Sequence, residues 1–259
     1  MISPIKDPAS FKCFSVIAEL IPPASVVSTF LFFGGNIELN LAQMNRFVVA
    51  HTNKYVIYEF WECLKESPPN LIETIKFLQQ KLGKAAPFLE HLQARWPSYK
   101  NPYIRGALFY LLNSYSEDKL VSSGKLDPDR YNALTLRHLA QIPTVENFHL
   151  NFYDSEDCLE GIEKKTEKSE YILFPVGKFS YNLFDQGKTT GFETTIINHE
   201  KLRDFLKNSD KKVLLIYKFH KQLPSFYKDF PIKYLNHYGQ PTRSTKDVAE
   251  AIIANFRIN

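Results

Sequence analysis

The sequence predicts an α/β fold, and three observations carry that expectation. Between residues 25 and 50 a β-branched and aromatic run, a segment with helical spacing and a second short apolar run follow one another, the strand, helix, strand order of an α/β sheet. Further strand-like runs return only after residue 147, so the sheet is interrupted by a mostly helical block and then completed. The chain has 259 residues, 44% of them hydrophobic and 14% aromatic, which is enough to bury a full core as one large domain carrying an insertion.

Taken in order, residues 11–20 space as a short helix that stops at Ile21-Pro22-Pro23, because proline lacks the N–H a helix interior needs. Residues 25–33 read as a buried strand ending at Gly34-Gly35-Asn36, residues 37–45 as a helix, and residues 46–50 as the second strand. From 55 to 82 the pattern is helical with a break at Ser67-Pro68-Pro69, where proline begins the next helix. Another helix is expected over 101–113, then a polar, turn-rich stretch to 129 and a helical run over 128–141. Strands are expected at 148–153, 171–176, 213–217, 232–238 and 251–257, with one clear helix over 198–206.

Composition excludes several classes. With 10 glycines and 15 prolines the chain is neither collagenous nor of low complexity. Its most apolar stretch, residues 26–35, is broken by Ser28 and Thr29 and is too short for a bilayer, so no membrane partner is expected. The start, with Lys6 and Asp7 ahead of a mixed segment, lacks a secretory pattern. Cys13, Cys63 and Cys158 are scattered, odd in number and without a CxxC pair, which fits a reducing, cytoplasmic setting. The 7 histidines form no HxxxH or HExxH pattern, so no metal is expected. Residues 1–160 hold 15 basic and 17 acidic side chains, residues 161–259 hold 17 and 11, so the last third carries a net +6 that suits an anionic polymer or a solvated surface equally.

Several phrases, in order, resemble the Dam-type family of N6-adenine DNA methyltransferases, and the resemblance covers almost the whole chain. They are Asp7-Pro8-Ala9-Ser10-Phe11, Glu19-Leu20-Ile21-Pro22-Pro23, Phe32-Phe33-Gly34-Gly35-Asn36, Val48 to Thr52 with Phe60-Trp61 beyond, and Arg105 to Asn113. Asp154, the phrase Phe174-Pro175-Val176-Gly177, His199, Tyr227, Arg243 and residues 251–256 continue the series. The resemblance implies a Rossmann-like, S-adenosylmethionine-dependent methyltransferase fold. It divides the chain into a discontinuous lobe, residues 1–55 and 146–259, and a helical insertion, 56–145, in the place of the target-recognition region.

The departures from the family pattern fall on the chemistry. Phe174 stands where the family has the Asp of its catalytic DPPY, and Gly177 where it has the Tyr that stacks on the flipped adenine. A phenyl ring accepts no hydrogen bond from the adenine amine, an interaction with a charged group that contributes about 1.5–3 kcal/mol. No residue of that phrase is therefore expected to be catalytic. On the cofactor side Phe32 and Phe33 take places the resemblance gives to small residues, and His51-Thr52 replaces the acid expected on the ribose, leaving Gly34, Gly35, Asn36 and Asp154 as the candidate cofactor residues. In that light Phe32, Phe33 and Phe174 read as core filling.

The resulting expectation is a pseudoenzyme that binds no cofactor and serves as a binding or assembly component. Its partner would be DNA through Lys218, Lys221, Lys228 and Arg243, an active methyltransferase subunit, or further copies of itself, and a phage accessory role in host cytoplasm or virion is open because such genes are frequent in phages. The alternative is a working adenine methyltransferase that holds S-adenosylmethionine through Asn36 and Asp154 and the adenine amine through Asn182 or Asp185.

Overall fold

The computed structural model describes residues 3–82, 86–179, 195 and 197–258. Helix α1 (Phe14–Leu20) ends as Ile21 turns extended ahead of Pro22, the conformation a following proline imposes, and leads into strand β1 (Val26–Thr29). Helix α2 (Asn36–Gln43) and strand β2 (Phe47–Thr52) complete the first unit. Helices α3 (Tyr55–Glu66), α4 (Pro68–Leu82), α5 (Ala86–Arg95), α6 (Pro102–Tyr115) and α7 (Thr135–Gln141) then separate β2 from β3 (Phe148–Phe152). Helix α8 (Ile162–Lys165), β4 (Tyr171–Gly177), α9 (His199–Asn208), β5 (Lys212–Lys218), α10 (Leu223–Phe226), β6 (Ile232–Leu235) and β7 (Glu250–Ala254) follow. Two helices begin on side-chain caps: Asn101 accepts the Tyr103 and Ile104 amides ahead of Pro102, and Asn198 accepts that of Lys201.

The seven strands form one sheet in the order β3-β2-β1-β4-β5-β7-β6. All neighbours run parallel except β7, which is antiparallel to both β5 and β6. The alternation along β5 shows how both faces are covered. Leu214 and Ile216 face a core shared with Val16 and Ile17 of α1 and Leu41 of α2, whereas Val213, Leu215 and Tyr217 face one shared with Leu202 and Leu206 of α9. A third core, built on Phe60, Trp96, Leu108 and Phe109 of the helical block, runs on without a break into Phe32, Leu39 and Ala50 beside the sheet.

Several expected elements differ. The strand expected over 25–33 ends at Thr29, because Leu31 adopts a left-handed backbone (φ 61°) and the chain leaves the ladder there. The Phe30 amide still bonds to Leu173 of β4, but the Phe32 amide turns to His51 of β2. The run expected over 251–257 stops at Ala254. Helix α5 was not among the expected elements; its own residues, with Glu90, His91, Gln93 and Arg95 among them, show only weak helical periodicity.

Candidate functional site

In an open α/β sheet, ligands bind outside the carboxyl ends of the strands where the strand order reverses. Here the reversal lies between β1 and β4. A cleft of about 230 Å³ opens at that point, bordered by Phe33 and Asn36 after β1, Pro175 of β4, and the N-terminal segment from Ser3 to Lys12. Gly35 makes the turn with a left-handed backbone (φ 71°), and a side chain on it would stand 3.0 Å from the Phe32 ring. A Cβ on Gly34 would sit 3.1 Å from the Ile5 carbonyl, so that glycine admits the N-terminal segment rather than a ligand.

The cleft is polar. Glu38 in the first turn of α2 is 4% exposed, accepts a bond from the Thr29 hydroxyl (3.0 Å), and burial lifts its carboxyl to about 7. Burial likewise raises the Asp7 carboxyl, which accepts the Ala9 amide at 2.7 Å, and lowers the Lys6 and Lys119 ammoniums. Lys119 arrives from the loop after α6, and Asn113 of that helix holds it in place: its amide group donates to the Lys6 and Lys119 carbonyls (2.9 and 2.8 Å) and accepts the Lys6 N–H (2.8 Å).

Beside this polar cleft the ends of β1, β2 and β4 are dry. The Phe30 ring lies between His51 and Phe174, with centroids 4.7 and 5.1 Å away, and Phe205 of α9 meets Phe174 edge-on at 6.0 Å. Phe174 is fully buried. His51 belongs to β2 rather than to a loop, its Nε2 has no hydrogen-bond partner among the described residues, and burial, reinforced by the Lys165 charge, lowers its pKa to about 4. Pro175 borders the cleft, Val176 is half-buried, and Gly177 takes a left-handed backbone (φ 84°) where the β4 to β5 register shifts. Phe32 does not enter the cleft: its ring packs into the core against Trp61 and Phe148 at 5.3 and 5.5 Å, leaving Phe33 as the aromatic wall.

Of the remaining expected site residues, Asn36 lines the cleft, and Asp154 is exposed beyond the end of β3. Asn182 and Asp185 lie outside the described residues. Lys221, Lys228 and Arg243 are exposed. Lys218 is committed elsewhere: its ammonium pairs with the 1% exposed Glu250 at 2.6 Å and donates to the Ser10 carbonyl at 3.1 Å, while Glu250 also receives the Lys12 amide. The lysine expected on a DNA-facing surface thus ties β5 to β7 and to the N-terminal segment. Sequence reasoning passed over Glu38, Lys6 and Lys119. An acid in the first helical turn after a double glycine was a signal for Glu38; nothing local marks Lys119, which the fold carries in from the helical block.

The three free cysteines are buried. Among the described residues no group of His, Cys, Asp and Glu is arranged to hold a metal, and no helix is long and apolar enough to cross a membrane.

No protein-family model matches the chain, and no curated protein matches it. Among solved structures, a predicted O-methyltransferase from Agrobacterium tumefaciens is similar over 96% of this chain and 79% of its own, with 11% identity and a TM-score of 0.37. The class rests on the sheet itself: a seven-stranded order in which only β7 is reversed is the Rossmann-like, methyltransferase-type α/β fold.

Proposed function

We propose that this protein is a descendant of the Dam-type adenine methyltransferases that no longer transfers methyl groups and acts by binding. One observation carries the reading: Phe174, in the place of the catalytic carboxylate, is fully buried between Phe30 and Phe205. Methyl transfer to an exocyclic amine needs an acceptor that binds the N–H more strongly as the transition state forms, and a stacked phenyl ring supplies none. The Tyr place supports the same conclusion, since Gly177 offers no ring and holds a φ of 84° that a tyrosine adopts only under strain. DNA is the favoured partner, through the basic excess after residue 160 and the exposed Lys221, Lys228 and Arg243.

Two measurements test this. Incubation with duplex DNA and methyl-labelled S-adenosylmethionine should leave adenine unlabelled; label at adenine N6 would establish the working-enzyme alternative, in which Asn36 contacts the cofactor. Titration of unrelated duplexes at several salt concentrations should show sequence-tolerant binding that weakens with salt. Alanine at Lys221, Lys228 and Arg243 together should flatten the log–log salt slope by up to about three units, at roughly 0.9 per phosphate contact. Absence of binding at low salt would leave protein assembly as the role.

A further inference from the structure

Three lysines from distant parts of the chain line the cleft: Lys6 and Lys12 on the N-terminal segment and Lys119 on the loop after α6. Lys119 faces the Asp7 carboxylate first and then Lys218, Lys12 and Arg130, and Arg130, exposed on the turn at residues 128–130, also adds its field to Lys6. Of these five cations, among the described residues, only Lys218 closes an ion pair with a carboxylate. Asp7 and Glu38 line the same cleft, so its three lysines outnumber its two carboxyls, and burial raises the proton affinity of both carboxyls.

The backbone repeats the message. Ser10 and Lys119 both take left-handed conformations (φ 45° and 64°), and the Lys119 ammonium bonds to the Ser10 hydroxyl across the seam between helical block and sheet. Non-glycine residues keep such conformations only where their surroundings over-determine them, commonly at ligand clamps. The Asn113 side chain supplies that determination, through its bonds to Lys6 and Lys119.

We propose that this cleft seats the terminal phosphate of a small phosphorylated molecule, held by Lys6, Lys12 and Lys119. A phosphate oxyanion offers acceptors to several ammoniums at once and neutralises the crowded charge. The site is concave and Lys6 and Lys119 are half-buried within it, which favours a chain end over the rigid backbone of a duplex. Glu38, buried in the first turn of α2, already places a carboxyl at that helix end, so the lysines and not the helix end form the seat. Its negative charge opposes the guest, so neutralising it should tighten binding. The proposal depends on the cleft alone and stands whether or not methyl transfer is lost.

The test uses the full chain and calorimetric titration with inorganic phosphate and pyrophosphate, against chloride at matched ionic strength. Saturable binding is expected for both phosphates. Lys119→Gly should lose about tenfold in affinity while its melting temperature holds or rises, because glycine accepts the left-handed backbone without strain. Lys6→Ala should lose affinity similarly, Glu38→Gln should gain it, and exposed Lys100→Ala should bind as the unaltered protein does. Equal heats for phosphate and chloride, or unaltered affinity in Lys119→Gly, would overturn the seat. A short duplex that displaces pyrophosphate and itself needs Lys119 would overturn the assignment to a small molecule.

Discussion

The aromatic stack of Phe30, His51 and Phe174 and the cleft of Lys6, Asp7, Glu38 and Lys119 lie side by side at one end of one sheet, yet they obey opposite physics. In the stack, rings face rings, and the buried His51 Nε2 finds no hydrogen-bond partner among the described residues. In the cleft, the Thr29 hydroxyl bonds to Glu38, the Ala9 amide to Asp7 and the Lys6 ammonium to the Ser114 carbonyl, and burial shifts the proton affinities of these charged groups and of Lys119. The contrast teaches that apolar core and polar cleft can share one end of a sheet: the stack needs only shape and apolar surface, whereas the cleft must give its charged groups bonds to backbone and side chains.

The largest effect should come from forcing the polar condition onto the dry side. Phe174→Asp buries a carboxylate among Phe30, Phe205 and Leu215 and removes a large ring, so a loss of about 4 kcal/mol or more in urea unfolding is expected, with no gain of methyl transfer. A stable, active Phe174→Asp protein would mean the stack is a site in waiting rather than core.

A smaller loss separates lysines that the sequence alone does not distinguish. Lys218→Ala strips the partner from buried Glu250 and should cost about 2–3 kcal/mol, tempered by the Lys12 amide that still holds that carboxylate. Lys221→Ala, on an exposed side chain, should stay within about 0.5 kcal/mol. Equal midpoints for the two variants would refute the structural role given to Lys218.

The finest contrast is in pH. His51 is held neutral when folded, with its pKa lowered to about 4, so the unfolded chain takes up its proton first and stability falls as pH drops from about 6.5 towards 4. His199, bonded to the Tyr217 hydroxyl and lowered to about 4 by burial, acts in the same sense. Glu38 acts oppositely: raised to about 7, it binds its proton more tightly when folded, and stability is lost as pH rises from about 4.5 to 7. His51→Phe should therefore stabilise by about 2 kcal/mol at pH 5 and less at pH 8, while Glu38→Gln should stabilise by about 2 kcal/mol at pH 8 and little at pH 5. Denaturant midpoints at the two pH values check both, and parallel shifts at both would refute the assignments.

Much of the frame was legible before any coordinate. The alternation of Val213 to Tyr217, the helical spacing of residues 55–82 and the proline stop at Ile21-Pro22-Pro23 each express a local rule, and the strands and helices formed where those rules placed them. That the phrase Phe174-Pro175-Val176-Gly177 carries no acid was legible too. Less legible was the direction in which each aromatic ring points. Phe32 and Phe33 are neighbours of one type, and only the left-handed turn at Leu31 sends the first into the core beside Trp61 and leaves the second on the cleft wall.

By itself, then, the sequence determined the α/β class, the helical interruption between the second and third strands, and the absence of an acid in the Phe174 phrase, because periodicity, proline and side-chain chemistry are properties of short segments. The tertiary structure alone decided that Lys218 is spent on Glu250, that His51 is buried against Phe30, and that Lys6 meets Lys119 across more than a hundred residues of chain. Charge pairing and desolvation depend on distances in space, and those distances exist only once the helical block has closed onto the end of the sheet.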